Sequence, residues 1–244
     1  MPATRLFAAA FAACLLATSA QAQVPVPAQS ADASAAQEGV QLRWLDPVAF
    51  APANAFAPPP AAGSVVEKQE LARLHALIAA ATPERIARAR WDGEHEEPAA
   101  FNDATGRDLG TLPATMALLT IIQQEVERVA AAGKLYFARP RPYMIDASLP
   151  NCSKGKASKK SYPSGHAGFG WSIGWTLARL MPDRAPALLA RAQDYAMSRE
   201  LCGVHYPSDL EASHAMAVLA AEKMISDPRL SAQVAAARAE LGAH

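Results

Sequence analysis

Three short stretches concentrate the side chains that could handle a phosphoryl group. The first, Lys134-Leu-Tyr-Phe-Ala-Arg139-Pro-Arg141-Pro142, puts three cations within eight residues. Its two prolines disfavour helix at Arg139 and Arg141 and fix extended backbone, holding guanidinium groups that match phosphate oxygens bidentately. Taken alone, such a run is more often a helix end complementing the macrodipole. The second, Ser161-Tyr-Pro163-Ser164-Gly165-His166-Ala167, opens a predicted helix. A Ser164 N-cap would leave the Gly165 and His166 N–H groups facing outward, where the helix dipole favours an anion. The third runs from Ser198-Arg199 through Cys202 to His205 and Asp209. A carboxylate four residues beyond His205 can hold Nδ1 and leave Nε2 as a lone-pair nucleophile, although an isolated His–Asp pair more often only ties a helix start.

The elements expected to position these groups are helical. Val66, Leu71, Leu74, Leu77 and Ile78 fall at helical spacing, and Pro83 begins a second segment through Trp91. The strongest apolar face runs from Pro113 to Gly133. Two helices are predicted after Ser164 and from Asp183 to Ser198, and a last large one after Ser208, where Ser208 and Glu211 have capping-box spacing. No alternating strand pattern or repeat interrupts them, so the expectation is a single all-α helical bundle spanning residues 64–244.

Ahead of it, residues 1–22 read as a signal peptide, with Arg5, an apolar run too short to span a bilayer, and Ala20-Gln-Ala22 before the cleavage point. Residues 23–63 are rich in Ala and Pro and are expected to form an irregular arm. The full chain of 244 residues balances 23 Lys and Arg against 23 Asp and Glu, and cleavage would remove only Arg5. Near-neutrality argues against a general partner among nucleic acids or anionic membranes. Export leaves Cys152 and Cys202, an even pair read as a disulfide closing a loop of about 50 residues and contributing roughly 4 kcal/mol by chain entropy. No metal-ligand spacing such as CxxC or HExxH occurs, so no metal and no cofactor are expected.

The conjunction K-x6-R-P, P-S-G-H and S-R-x5-H-x3-D resembles the signature of the type 2 phosphatidic acid phosphatase superfamily. Within it, Ser161 to His166, Cys202-Gly203 and the lack of long apolar segments are similar to the bacterial class A non-specific acid phosphatases. The resemblance implies an all-α fold of the acid phosphatase and vanadium haloperoxidase type. It implies a periplasmic or secreted, metal-independent acid phosphatase acting on small phosphate monoesters, with a homo-oligomer left open. It assigns His205 as nucleophile, Asp209 as its orienting carboxylate and His166 as general acid. Lys134, Arg141, Ser164, Gly165 and Arg199 would bind phosphate. Arg139 is a candidate ion-pair partner or minor phosphate contact. Two positions depart from the class A pattern, Lys160 before Ser161 and Ala167 after His166, and Lys154, Lys156 and Lys159 make that loop basic. His75, His95, His214 and His244 match no motif and are assigned to structure or surface, and Trp171 and Trp175 to the core. Vanadium-dependent haloperoxidases share the constellation, and a phosphate-binding protein without catalysis or a lipid phosphatase are the remaining alternatives.

Overall fold

A computed structural model describes residues 41–152 and 159–242, and among them regular structure is entirely helical. The principal helices are α1 (Val65–Ala80), α2 (Pro83–Glu94), α3 (Pro113–Phe137), α4 (Gly165–Leu180), α5 (Ala185–Leu201), α6 (Pro207–Ile225) and α7 (Ser231–Gly242). The expected signal peptide, Lys154, Lys156 and His244 lie outside the described residues.

The bundle is built around α4, which is buried along most of its length and packs chiefly against α5 and α6, with α3 beside it. Its sequence allows this close seating. A Cβ on Gly174 would come within 2.7 Å of Ala192 Cβ, and one on Gly170 within 2.8 Å of the Tyr195 ring, so α5 approaches α4 only because these two positions lack side chains. Leu118, Leu119, Ile122, Val126 and Val129 carry the α3 face into the same core as Phe169, Ile173 and Leu177. α2 and α1 lie against α5 from the other side, and α7 covers α3.

Local signals set the ends. Ser64 and Thr82 cap α1 and α2 by accepting the N–H groups of Glu67 and Arg85, and Ser164 caps α4 by accepting that of Ala167. α6 starts two residues earlier than the Ser208–Glu211 spacing suggested. Pro207 occupies its first turn and Asp209, not Glu211, reaches back to the Tyr206 N–H at 2.9 Å. α3 runs four residues past Gly133, so Lys134 belongs to its last turn, and α7 is an additional helix after the one expected to be last.

Residues 41–63 contain one short helix, Pro52–Ala55, and are otherwise turns and irregular chain, yet they are tied to the bundle. Leu45, Phe50 and Phe56 enter the core, and the buried Glu125 carboxylate of α3 accepts the N–H groups of Arg43, Trp44 and Leu45 at 2.6, 2.8 and 3.2 Å. Cys152 and Cys202 form a disulfide with their Cα atoms 4.9 Å apart, joining the end of α5 to the segment after α3. No helix among the described residues is long and apolar enough to cross a membrane.

Candidate active site

The three motifs meet where the last turn of α3, the first turn of α4 and the α5–α6 corner converge. They enclose a cavity of about 360 Å³ lined by Lys134, Arg141, Gly165, His166, Arg199 and His205, with Gly93, Glu96, Glu127, Ala130 and Ala131 completing the wall.

Arg141 comes off extended backbone (φ −75°, ψ 154°) just before a short helical turn, as its flanking prolines require. Its Nη1 donates to the Val204 carbonyl at 2.9 Å and to His205 Nε2 at 3.1 Å. A guanidinium can only donate, so Nε2 is the lone-pair nitrogen of that ring and Nδ1 carries the hydrogen. Nδ1 faces Asp209 Oδ2 at 3.3 Å. Asp209 is fully buried and accepts further hydrogen bonds from Ser161 Oγ (2.5 Å), the Tyr206 N–H and Arg139 Nη1 (2.7 Å). Burial raises its pKa, and the Arg139 charge with these donors opposes that rise and supports the carboxylate.

Arg139 faces away from the cavity. Its other nitrogen is paired to Glu70 of α1 at 2.8 Å and its guanidinium lies 3.7 Å over the Tyr206 ring, so it acts as the counter-ion of Asp209. Burial, reinforced by the charges of Arg141, Arg199 and Lys134, holds the His205 pKa well below that of a free imidazole. These surroundings favour the neutral ring, with its lone pair on Nε2.

Arg199, in the last turn of α5, is 3% exposed, yet its Nε and Nη1 find no hydrogen-bond partner in the protein. Burial and the neighbouring Arg141 charge lower its pKa to about 10. Unpaired buried guanidinium donors are costly and call for an anion. Lys134 lies against the start of α4, its Nζ within 2.8 Å of where a Cβ on residue 165 would stand. Burial first, then Arg141, lowers its pKa. The Gly165 and His166 amides belong to the first turn of α4, whose N–H groups have no helical acceptor. Ser164, by contrast, is fully buried and does not line the cavity: its Oγ caps α4 and its own N–H donates to Ser213 Oγ.

Asp92, Arg191, Glu96 and Glu127 lie outside the three motifs. Ser198 Oγ donates to Asp92 at 2.5 Å, and Arg191 also pairs with Asp92, locking α5 onto α2 directly beside Gly93. Glu96 Oε2 lies 3.2 Å from His166 Nδ1. Glu127 sits two helical turns before Lys134 on the same face of α3, and its place would follow from the sequence once Lys134 is put inside that helix. The four histidines outside the motifs do not line the cavity where they are described. His75 pairs with Asp146, His95 stacks on Trp91 and His214 stacks on Trp171. Trp171 is buried in the core and Trp175 packs against it.

An all-α bundle that presents three cations, a helix N-terminus and a carboxylate-held imidazole to one cavity is the architecture of a phosphoryl-handling domain. Residues 109–226 match the PAP2 superfamily, a stretch that takes in all three motifs. It is 32% identical over 172 residues to an acid phosphatase of Zymomonas mobilis, covering 66% of this chain and 64% of that one. It is 28% identical to a non-specific acid phosphatase of Providencia stuartii over 75% of this chain and 77% of that protein. With the Salmonella typhimurium non-specific acid phosphatase it shares 29% over 46% of each chain. The matched region thus spans between about half and three quarters of these relatives.

Proposed function

We propose that this protein is an exported acid phosphatase that hydrolyses small phosphate monoesters with broad specificity through a phosphohistidine on His205, without a metal. The observation that carries the reading is the pairing of opposites in one cavity: the unpartnered Nε and Nη1 of Arg199, and a lining His205 whose Nε2 lone pair accepts from Arg141. Lys134, Arg141, Arg199 and the Gly165 amide would hold the phosphoryl oxygens and stabilise the charge of the five-coordinate transition state. His205 Nε2 attacks phosphorus, the N–P bond forming as the P–O bond to the alcohol breaks, and His166 gives that oxygen its proton. The Asp209 carboxylate supports the positive charge that develops on His205. In the second step His166 takes a proton from water, the water oxygen attacks phosphorus, the N–P bond breaks and inorganic phosphate leaves.

Three features support the finer parts of this reading. Lys134, Arg141 and Arg199 bring three positive charges to the cavity where the phosphoryl oxygens would sit. Apart from the cations and the two histidines, the lining is Gly93, Glu96, Glu127, Ala130, Ala131 and Gly165, with no aromatic side chain to select a leaving group, which suits broad specificity. The depressed His205 pKa keeps the nucleophile available at acid pH. Export rests on the N-terminal pattern and is supported by the disulfide. The test is turnover of a chromogenic aryl phosphate at acid pH in excess chelator, with alkaline trapping of phosphoprotein. An active enzyme whose trapped phosphate maps to His205 is expected. Absence of turnover, or phosphate on another residue, would overturn the reading.

A further inference from the structure

Glu96 belongs to none of the three motifs, yet it holds the general acid. His166 is bracketed: Nε2 lies 3.3 Å from the Gly93 carbonyl, Nδ1 lies 3.2 Å from Glu96 Oε2, and the ring runs nearly parallel to Tyr195. The Gly93 carbonyl can only accept, so Nε2 carries the hydrogen, and in a neutral ring Nδ1 then presents a lone pair to Glu96. That contact is favourable only if the carboxyl carries a proton. The surroundings bias it that way. Burial, with the Arg199 charge, pushes His166 down to about 2, while burial and the neighbouring Glu127 push Glu96 up to about 7. The groups facing Glu96 are Glu127 and Lys134 from α3, His166 from α4, and Tyr195 and Arg199 from α5, with Arg141 and His205 across the cavity.

We propose that Glu96 is the positioning and proton-relay partner of His166, the counterpart for the acid of what Asp209 is for the nucleophile. The inference rests on the phosphatase reading above. When the ester oxygen takes over the hydrogen bond that Nε2 now makes to Gly93, the Nε2 proton passes to that oxygen and Nδ1 takes the proton of the Glu96 carboxyl. This leaves a Glu96 carboxylate and a neutral ring. In the second step the proton of the attacking water goes to Nε2 and the Nδ1 proton returns to Glu96, restoring the starting state. The relay is competent only while Glu96 is protonated, so turnover of esters that need leaving-group protonation falls as pH rises through about 7. Esters with activated leaving groups do not need it.

The experiment compares an alkyl and an aryl phosphate across pH in the wild type and in E96Q, E96D and E127Q. For E96Q, kcat/KM for the alkyl ester is expected to fall about 100-fold at pH 5 to 6, and for the aryl ester less than about 5-fold. E96Q should still form alkali-stable phosphoprotein from the aryl ester, which shows that the pocket has folded. E96D should keep the basic limb of the alkyl profile, and E127Q should move it to lower pH because one repelling charge is removed. An E96Q enzyme that keeps both the limb and the wild-type alkyl-to-aryl ratio overturns the relay, as does one that loses both esters equally. A wild type that turns over neither ester refutes instead the phosphatase reading on which the relay depends.

Discussion

Replacing Arg199 by Met separates what the site does from what it costs. The guanidinium is almost wholly buried, is pressed by Arg141, and leaves Nε and Nη1 without partners. A hydrogen bond to a charged group contributes about 1.5 to 3 kcal/mol, so two such bonds formed with a transition-state phosphoryl are worth about 3 to 6 kcal/mol. At about 1.4 kcal/mol per decade, R199M should lose roughly 100-fold to 10,000-fold in kcat/KM for any phosphate monoester. Met has similar volume and removes a buried, unsatisfied charge, a change that is neutral to stabilising by about 1 to 4 kcal/mol. R199M is therefore expected to melt at or above the wild-type temperature, by up to several degrees, since about 1 kcal/mol corresponds to about 2 to 4 °C in a domain of this size. Calorimetry with and without inorganic phosphate adds a third readout, because phosphate should raise Tm in the wild type and much less in R199M. A variant with kcat/KM within about 10-fold of wild type, or one that melts well below it, would refute the assignment of Arg199 as an oxyanion clamp.

His205→Ala should abolish turnover of every monoester and leave no phosphate on the protein, whereas His166→Ala should lose alkyl esters more severely than aryl esters and accumulate alkali-stable phosphoprotein. If H205A still becomes phosphorylated, the two roles are reversed. Cys202→Ser or reduction should cost about 2 to 5 kcal/mol of stability and lower activity as well, because the bridge ties the end of α5 next to Arg199 and His205; thermal melting and a parallel activity assay check it, and two free thiols in the native protein would contradict it. Exhaustive chelation should leave turnover intact while vanadate, a mimic of five-coordinate phosphorus, inhibits in the micromolar range. Activity lost to chelator and restored by a divalent ion would defeat the metal-free mechanism.

The helical class and the identity of the cations, His205 and Asp209 were legible in the chain because each depends on local order. Apolar periodicity marks α3, prolines beside Arg139 and Arg141 dictate extended backbone, and Asp209 reaches His205 because both lie at one helix start, four residues apart. Residues 41–63 were harder to read, since nothing in an Ala- and Pro-rich segment announces that Glu125, some 80 positions away, will accept its backbone N–H groups.

What only the tertiary structure decided is which polar groups face one another across sequence distance. Arg139 and Arg141 stand two apart in one motif, and the family resemblance gives Arg141 to phosphate while leaving Arg139 open between an ion pair and a minor phosphate contact. Packing against Glu70 and Tyr206 turns Arg139 into the counter-ion of Asp209 and leaves Arg141 for the cavity. Ser164 is spent as a cap, a role its spacing already allowed. Glu96 is one acid in the run Glu94-His-Glu-Glu97, indistinguishable from its neighbours until the close of α2 sets it against His166, 70 residues on. Local sequence determines backbone and chemical type, because those follow from interactions within a few residues. Proton placement in the site follows from burial and from charges brought in by α3, α4 and α5, and those exist only once the helices have packed.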